Sequence, residues 1–530
     1  MTVHLVGSGI ASLAAAVFLI RDAGIAPGDI EIYEQSDNLD GAMEFSGNAA
    51  QGYCLPATRV LEREYRCGLD LMARFPSVSD AQETIEEDTL EFNASFPYRD
   101  KARLIDKDGR VFSAPRFGVS LADRFNVLKL LWTSESALDG KAIDSYFTPE
   151  FYQSEFFLAW STLMGPLRQH SAVEFRRYFL RFLHVVPVID TMADVWRMRL
   201  NQREWLAAPI RKRLTEKGVH FNPGTVVKDM TFRAAGRDVF TDSIRLSTGE
   251  TAVPMTEKDA VLVTLGSQVA NMRKGTTTTA PTSPPSPADA WRLWTQIKEN
   301  ARTQLGREDF GDPTAFFKAG DPSSTWVTFT ITLRDRLFFE RLTALSGSGP
   351  RRQGLVTLID SPWLITLAPL PHPHFLGQPD NVEACWGFSL CHDRYGNPDR
   401  PGDFVKKPVT ACSGQEILEE IIGQLGFQSD AARIMSSDCI PVLLPHANSV
   451  WLRRSRKDRP NVVPDGAKNF AFIGQFCEMP EDTMFTMEYS IRSAAEAVGE
   501  LFHAPTLRPP VYQGLWDCRA VWGVLKTFVF

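Results

Sequence analysis

The chain has 530 residues, a net charge of −7, and 44% hydrophobic against 23% charged side chains. That length suggests two or three domains, and the balance is that of an ordinary globular protein with several cores. A sequence pI near 5.8 argues against a nucleic-acid partner, because phosphate binding needs concentrated Lys and Arg; the basic run "WLRRSRKDR" at 451–459 reads as a solvated loop.

The chain opens on an apolar strand, "VHLV" at 3–6, followed by Gly7-Ser8-Gly9-Ile10-Ala11-Ser12 and the helical run "LAAAVFLIRDAG". It lacks the basic leading region of a signal peptide, and its glycines stand where a phosphate turn needs them. A second strand, "IEIYE" at 30–34, ends on an acid. This is βαβ order, with a helix N-terminus offering free N–H groups to a pyrophosphate and Glu34 placed to accept from ribose hydroxyls. Ser12 replaces the third glycine and is small enough for close helix–strand packing. The predicted cofactor set here is Gly7, Gly9, Ile10, Ala11, Ser12, Glu34 and Gln35, and this motif alone leaves FAD and NAD both open.

Residues 62–72 and "HSAVEFRRYFLRFLH" at 170–184 have helical period, and 75–205, rich in aromatics, predicts a mostly helical insertion. "GVHFNPGTVVKDMTF" at 218–232 reads as strand–turn–strand returning to the nucleotide domain. "AVLVTLGS" at 260–267 is a strand ending in Thr264-Leu265-Gly266-Ser267. The Thr/Pro/Ser tract at 274–290 predicts an exposed loop. Residues 310–455 mix strands such as "TWVTFTITL" with helices such as "GQEILEEIIGQL", predicting a second lobe. Near the end, residues 468–502 read as strand, Gly474-Gln475 turn and long amphipathic helix, which favours FAD and adds Thr264, Gly266, Ser267, Gly474, Gln475, Phe485 and Thr486 to the predicted cofactor set. Eight cysteines lie scattered without a Cys-x-x-Cys pair, which predicts reduced thiols in a cytoplasmic protein and no metal site. No run of 18 apolar residues predicts a transmembrane helix.

The blocks "GSGIASLAAAVFLIRDAG", "HSAVEFRRYFLRFLH", "DFVKKPVTACSGQEILEEIIGQL", "NFAFIGQFCEMPEDTMFTMEYSIRSA" and "PPVYQGLWDCRAVWGVLKTF" resemble, in order and across nearly the whole chain, the oleate hydratase (myosin-cross-reactive antigen) family. The resemblance implies an α/β protein with a discontinuous Rossmann-like FAD domain (1–75, 205–270 and 460–500), a mixed α+β substrate lobe (76–204 and 271–459) and a C-terminal helical segment (501–530). It further implies FAD bound without net redox change and water added across the double bond of an unsaturated fatty acid held in an apolar tunnel. A homodimer and peripheral membrane contact through the C-terminal helix are also implied. Asp40, Gly41 and Glu44 fall in its flavin-proximal segment, and Arg59 in its flavin-facing loop.

Two segments depart from that pattern. The glutamate that activates water in the family falls on Val60, and the loop glycines fall on Ala57 and Thr58, which implies a reshaped loop. The family's Tyr-Asn-Gln-Tyr falls on Leu200-Asn201-Gln202-Arg203, so both tyrosines are replaced. Glu62 belongs by resemblance to the following helix, and His170, Glu174 and His184 read as core or network residues. Glu478 reads as a helix-capping acid. With the usual proton-handling groups gone, the expected reaction is addition to, or isomerisation of, a C=C bond in a small hydrophobic unsaturated substrate. Arg59, Arg203 and Glu44 are its candidate catalytic residues. Fatty acid hydration proper, flavin-dependent oxidation, and non-catalytic lipid or flavin binding stand as alternatives.

Overall fold

The structure, a computed structural model, describes residues 1–112, 118–249, 251–282, 289–318, 321–348 and 352–528. Residues 283–288 of the Thr/Pro/Ser tract and the last two residues of the apolar C-terminus lie outside the described residues.

The opening strand, Val3–Val6, is buried along its length and occupies the middle of a five-stranded parallel sheet. From edge to edge the order is Phe470–Ile473, Ala260–Thr264, Val3–Val6, Ile30–Tyr33 and His220–Asn222. Three distant stretches of sequence therefore build one sheet, and all strands run the same way because each pair is joined by a crossover. Near-continuous apolar strands are what a parallel sheet buried on both faces requires. Helix Ile10–Arg21 packs against helix Met487–Leu501; the small residues Ala14, Ala15, Ala16, Ala494 and Ala495 are all buried and allow a close approach. The expected strand–turn–strand at 218–232 pairs its first half, His220–Asn222, with this sheet. Its second half, Val227–Ala235, runs into an antiparallel meander with Asp238–Leu246 and Val253–Pro254.

The second lobe is an eight-stranded mixed sheet with its own apolar core. Helices such as Ile85–Ser95, Leu121–Trp132, Glu155–Met164 and Ala172–Arg181 fill the insertion after the first nucleotide segment. The insertion is not helical alone: Leu104–Ile105 pairs in parallel with Val356–Leu358 and so extends the lobe's sheet. Strand Trp326–Leu333 is buried on both faces, and its alternation divides two tasks. Val327, Phe329, Ile331 and Leu333 face the lobe's core. Thr328, Thr330 and Thr332 turn the other way and hold the segment 53–56.

The late helix begins at Met487, not directly after the Gly474-Gln475 turn. Glu478 consequently caps nothing; it joins a buried ion network described below. The C-terminal helix Cys518–Phe528 buries Ala520, Val524 and Phe528 and leaves Trp522 exposed. Among the described residues no helix is long and apolar enough to cross a membrane.

Candidate functional site

At the C-terminal ends of the parallel strands lies a cavity of about 370 Å³, the position where open α/β sheets bind ligands. Gly7 leaves the first strand with φ +92, and a Cβ there would press on the Thr264 side chain at 3.3 Å. Gly41 (φ +53) packs so closely that a Cβ would sit 2.9 Å from the Gly9 Cα. Helix Ile10–Arg21 has Gly9 as its N-cap, and among the described residues no side chain is bonded to its first amides. Those orphan N–H groups and the helix dipole face the cavity from Gly9, Ile10 and Ala11. Glu34 lies on the wall, its carboxylate fixed by the Ser8 amide (3.0 Å), the Ser8 hydroxyl (2.8 Å) and the Ser36 amide (3.2 Å).

Of the predicted cofactor residues, Gly7, Gly9, Ile10, Ala11, Glu34, Gln35, Gly41, Arg59, Thr264, Gly266, Ser267, Gly474, Gln475 and Thr486 line this cavity. Three others do not. Ser12 is buried within the helix, its hydroxyl 3.5 Å from that of Thr264, so it serves helix–strand packing. Asp40 is fully buried beneath the wall and ion-paired to Arg203 and Arg211. Phe485 faces a second cavity instead. Sequence reading missed Val226, Val227 and Asn271 on the wall; the "TVV" run after a turn marks a strand but carries no ligand signal of its own.

The second cavity, about 110 Å³, is mainly apolar and includes Phe182, Val185, Trp326, Trp386, Phe388 and Leu444 in its wall. A third, about 40 Å³, lies across the segment 57–60 and includes Tyr98, Met198, Leu200 and His374. Val60 borders both, and Leu200 only the third. The two positions where the resemblance places a glutamate and a tyrosine are thus brought to one small cavity, and both are aliphatic there. Neither Ala57 nor Thr58 has a positive φ. The segment needs no glycine because its backbone is tied elsewhere. Thr330 and Trp386 bond Leu55, Thr328 bonds Pro56, and Gln202 donates to the Ala57 carbonyl at 3.0 Å.

Arg59 is the residue common to all three cavities. Its guanidinium stands 5.9 Å from the centroid of the Phe485 ring, and no carboxylate pairs with it among the described residues. The salt bridge that would make Arg59 merely structural is absent there. Desolvation lowers it to about 10, with Tyr65 opposing, so it remains a cation at neutral pH.

The other catalytic candidates are placed differently. Arg203 lines none of these cavities; it is held by Asp40 and stacks over Phe45 at 5.3 Å, which corrects its expected place beside the substrate. Glu44 borders the nucleotide cavity, not the apolar one, and is bound by Lys274 at 2.8 Å and Asn38 at 3.0 Å. Glu62 does reach the apolar cavity, but its carboxylate is paired with Arg181 and with His184 at 2.8 Å. His170 bonds the Leu167 amide at 2.9 Å and the Ser323 carbonyl at 3.2 Å. Glu174 is buried between Arg454 and Arg459.

A parallel dinucleotide sheet, interrupted by a lobe that closes an apolar cavity over its ligand edge, defines the class: a two-lobed protein with the fold of the amine oxidases. Cyclohexylamine oxidase from Brevibacterium oxydans IH-35A matches with a TM-score of 0.56 at 12% identity, over 95% of this chain and 98% of that one. Putrescine oxidase bound to putrescine gives 0.56 at 11%, over 95% and 99%. The particular family is the MCRA family, whose model matches residues 1–498, and the chain belongs to it. The oleate hydratase of Streptococcus pyogenes serotype M49 (strain NZ131) is 31% identical over 540 residues, 99% of this chain and 89% of that protein. The linoleate hydratase of Lactiplantibacillus plantarum is 30% identical over 536 residues, 92% and 91%.

Proposed function

We propose that this protein is an FAD-binding, redox-neutral enzyme that adds an oxygen nucleophile across a C=C bond already conjugated to a carbonyl, in a hydrophobic substrate carrying its own hydroxyl. The observation that carries the reading is Arg59, an unpaired guanidinium where the nucleotide cavity meets the apolar one. FAD, when bound, would supply a polarisable planar ring system. The glycine turn, the uncapped helix N-terminus and Glu34 would hold its pyrophosphate and ribose. Phe182, Trp326 and Phe388 would exclude water around the substrate. A cation in such a dry site stabilises an oxyanion far more than it would in water. An unactivated alkene lacks that carbonyl and needs a positioned acid and base, worth about 10²–10⁴-fold, and Val60 and Leu200 supply neither.

A second reading, hydration of a fatty acid double bond, is favoured by the names of the two hydratase relatives. Purified protein is first scanned for flavin absorbance, then incubated anaerobically with oleic acid and, separately, with a long-chain hydroxy-enone. Hydroxy-enone product of unchanged mass and new retention time, with unaltered flavin absorbance, is the expected result. A gain of one water on oleate favours the hydratase reading. Bleaching of the flavin on substrate addition, with loss of two hydrogens from the substrate, would point to an oxidase and overturn the redox-neutral reading.

A further inference from the structure

Tyr178 lies in the helix Ala172–Arg181 and is buried, yet it lines the same apolar cavity as Arg59 and Phe485. The Phe485 amide donates to its hydroxyl at 2.7 Å. Its ring is packed against Trp451 at a centroid distance of 4.1 Å, so the side chain is fixed at both ends. The bond from Phe485 occupies a lone pair and leaves the phenolic proton to donate. Among the described residues no acceptor takes that proton. A buried O–H with its acceptor side satisfied and its donor side open is the arrangement a bound oxyanion would complete. Burial, reinforced by Glu174, holds the phenol well above its ordinary range despite the Phe485 amide, so the proton stays on oxygen at neutral pH.

Arg59 approaches Phe485 by its ring and Tyr178 approaches it by its backbone amide. The two donors thus converge on one residue of the cavity wall. We propose that Tyr178 is a catalytic residue, the second donor of an oxyanion site completed by Arg59. The inference rests on the enone reading above. As the substrate hydroxyl forms its C–O bond, the C=C π pair moves to the conjugated carbonyl and leaves an enolate oxygen. Tyr178 donates a hydrogen bond to that oxygen without transferring its proton. The proton released by the attacking hydroxyl ends on the α carbon, so nothing is oxidised or reduced. Tyr65 lines the same cavity, but its ring lies beneath Arg181 in the Glu62–His184 network, and among the described residues no backbone amide donates to its hydroxyl.

The test uses 4-nitrophenolate, an oxyanion on a flat ring, titrated calorimetrically into the flavin-containing protein, so it is independent of whether any enone is turned over. Tyr178→Phe is expected to weaken binding about tenfold, the worth of one charge-assisted hydrogen bond, while Tyr65→Phe stays within about twofold. Replacing Tyr178 with 3-fluorotyrosine, a more acidic phenol of nearly the same shape, should tighten binding, which a purely structural tyrosine would not do. Wild-type protein that fails to bind 4-nitrophenolate overturns the proposal. So does a Tyr178→Phe protein that binds it equally well, or, if that variant does not fold, a fluorotyrosine protein with unchanged affinity. Hydroxy-enone left unconverted by a wild type that does bind the phenolate would count against the enone reading and leave the oxyanion site standing.

Discussion

Arg59 sits in a loop whose other family landmarks have become Ala57, Thr58 and Val60. It is the one residue there with a charge to offer a reacting group. Substitution by Met keeps the length of the side chain and removes only the cation. Turnover of a hydroxy-enone should then fall about 10²–10³-fold, the effect of losing one donor from an oxyanion site, with the thermal midpoint unchanged or raised because no carboxylate loses a partner. A rate within a factor of about three of wild type would remove Arg59 from the mechanism. The converse substitution asks whether the missing acid and base are the whole of the divergence. Val60→Glu with Leu200→Tyr places both groups on the third cavity, and the expected outcome is a small amount of hydrated oleate, detected as a mass gain of one water. No hydration at all would mean that the cavity shape, and not two side chains, now sets the substrate. That Val60 and Leu200 meet, although 140 positions separate their numbers in the sequence, was legible only through the resemblance. Tyr178 lies within a helical block and carries no local signal of its own, because its role depends on a bond to Phe485 across two lobes. Arg203 misled for the opposite reason: a charge at a landmark position was claimed by Asp40, which no spacing rule connects to it.

At the level of elements, the nucleotide end was the most legible part. A strand, glycine turn, helix and acid-ended strand follow one another within 34 residues, so local pattern suffices. The strand Ala260–Thr264 and the strand Phe470–Ile473 could also be read as returns to that sheet. What could not be read was the threonine face of Trp326–Leu333, since alternation in a strand buried on both sides leaves no polar–apolar contrast except hydroxyl against methyl. The contact between Gly41 and Gly9 gives a test of how tightly the turn is built. Gly41→Ala adds a Cβ 2.9 Å from backbone and forces a side chain onto φ +53, so two penalties coincide at the phosphate end. The purified variant should carry markedly less flavin per mole of protein than wild type, read from the ratio of visible to ultraviolet absorbance. Full occupancy would show that the loop can retreat without disturbing the cofactor.

For the whole molecule, the lobes are joined by charge as well as by apolar packing. Glu174 on the insertion helix lies buried against Arg454 and Arg459, and Arg177 and Arg459 both grip Glu478 at 2.8 Å. Burial resists ionisation of Glu478, but Arg459, Arg177 and Arg454 together bring it down to about 2, so this network survives mild acid. Stability in mild acid is set by other groups. Burial lowers His170 and His374 to about 3 and His446 to about 4, all below the ordinary 6.5. Each is neutral in the folded protein and takes up a proton when unfolded, so stability present above pH 6.5 is lost as the pH falls towards 4 or 3. Asp100 works against them: burial, opposed by the Leu355 and Gly354 amides, raises it to about 7, so folding gains from its protonation between pH 7 and the ordinary value of 3.8. Glu500, raised to about 7 by burial and by Glu496, works with Asp100, while burial lowers His4 and His392 along with the other three histidines, so the histidines set the sign of the change as the pH falls below 6.5. Urea midpoints measured at pH 7.5 and pH 5.5 should therefore fall with acidification while the slope of the transition stays constant. A midpoint that holds or rises at pH 5.5 would mean that the buried histidines find acceptors in the folded protein when protonated. In that event His374, whose ring nitrogens make no well-formed hydrogen bond beside the third cavity, is the first to replace by Gln and measure again.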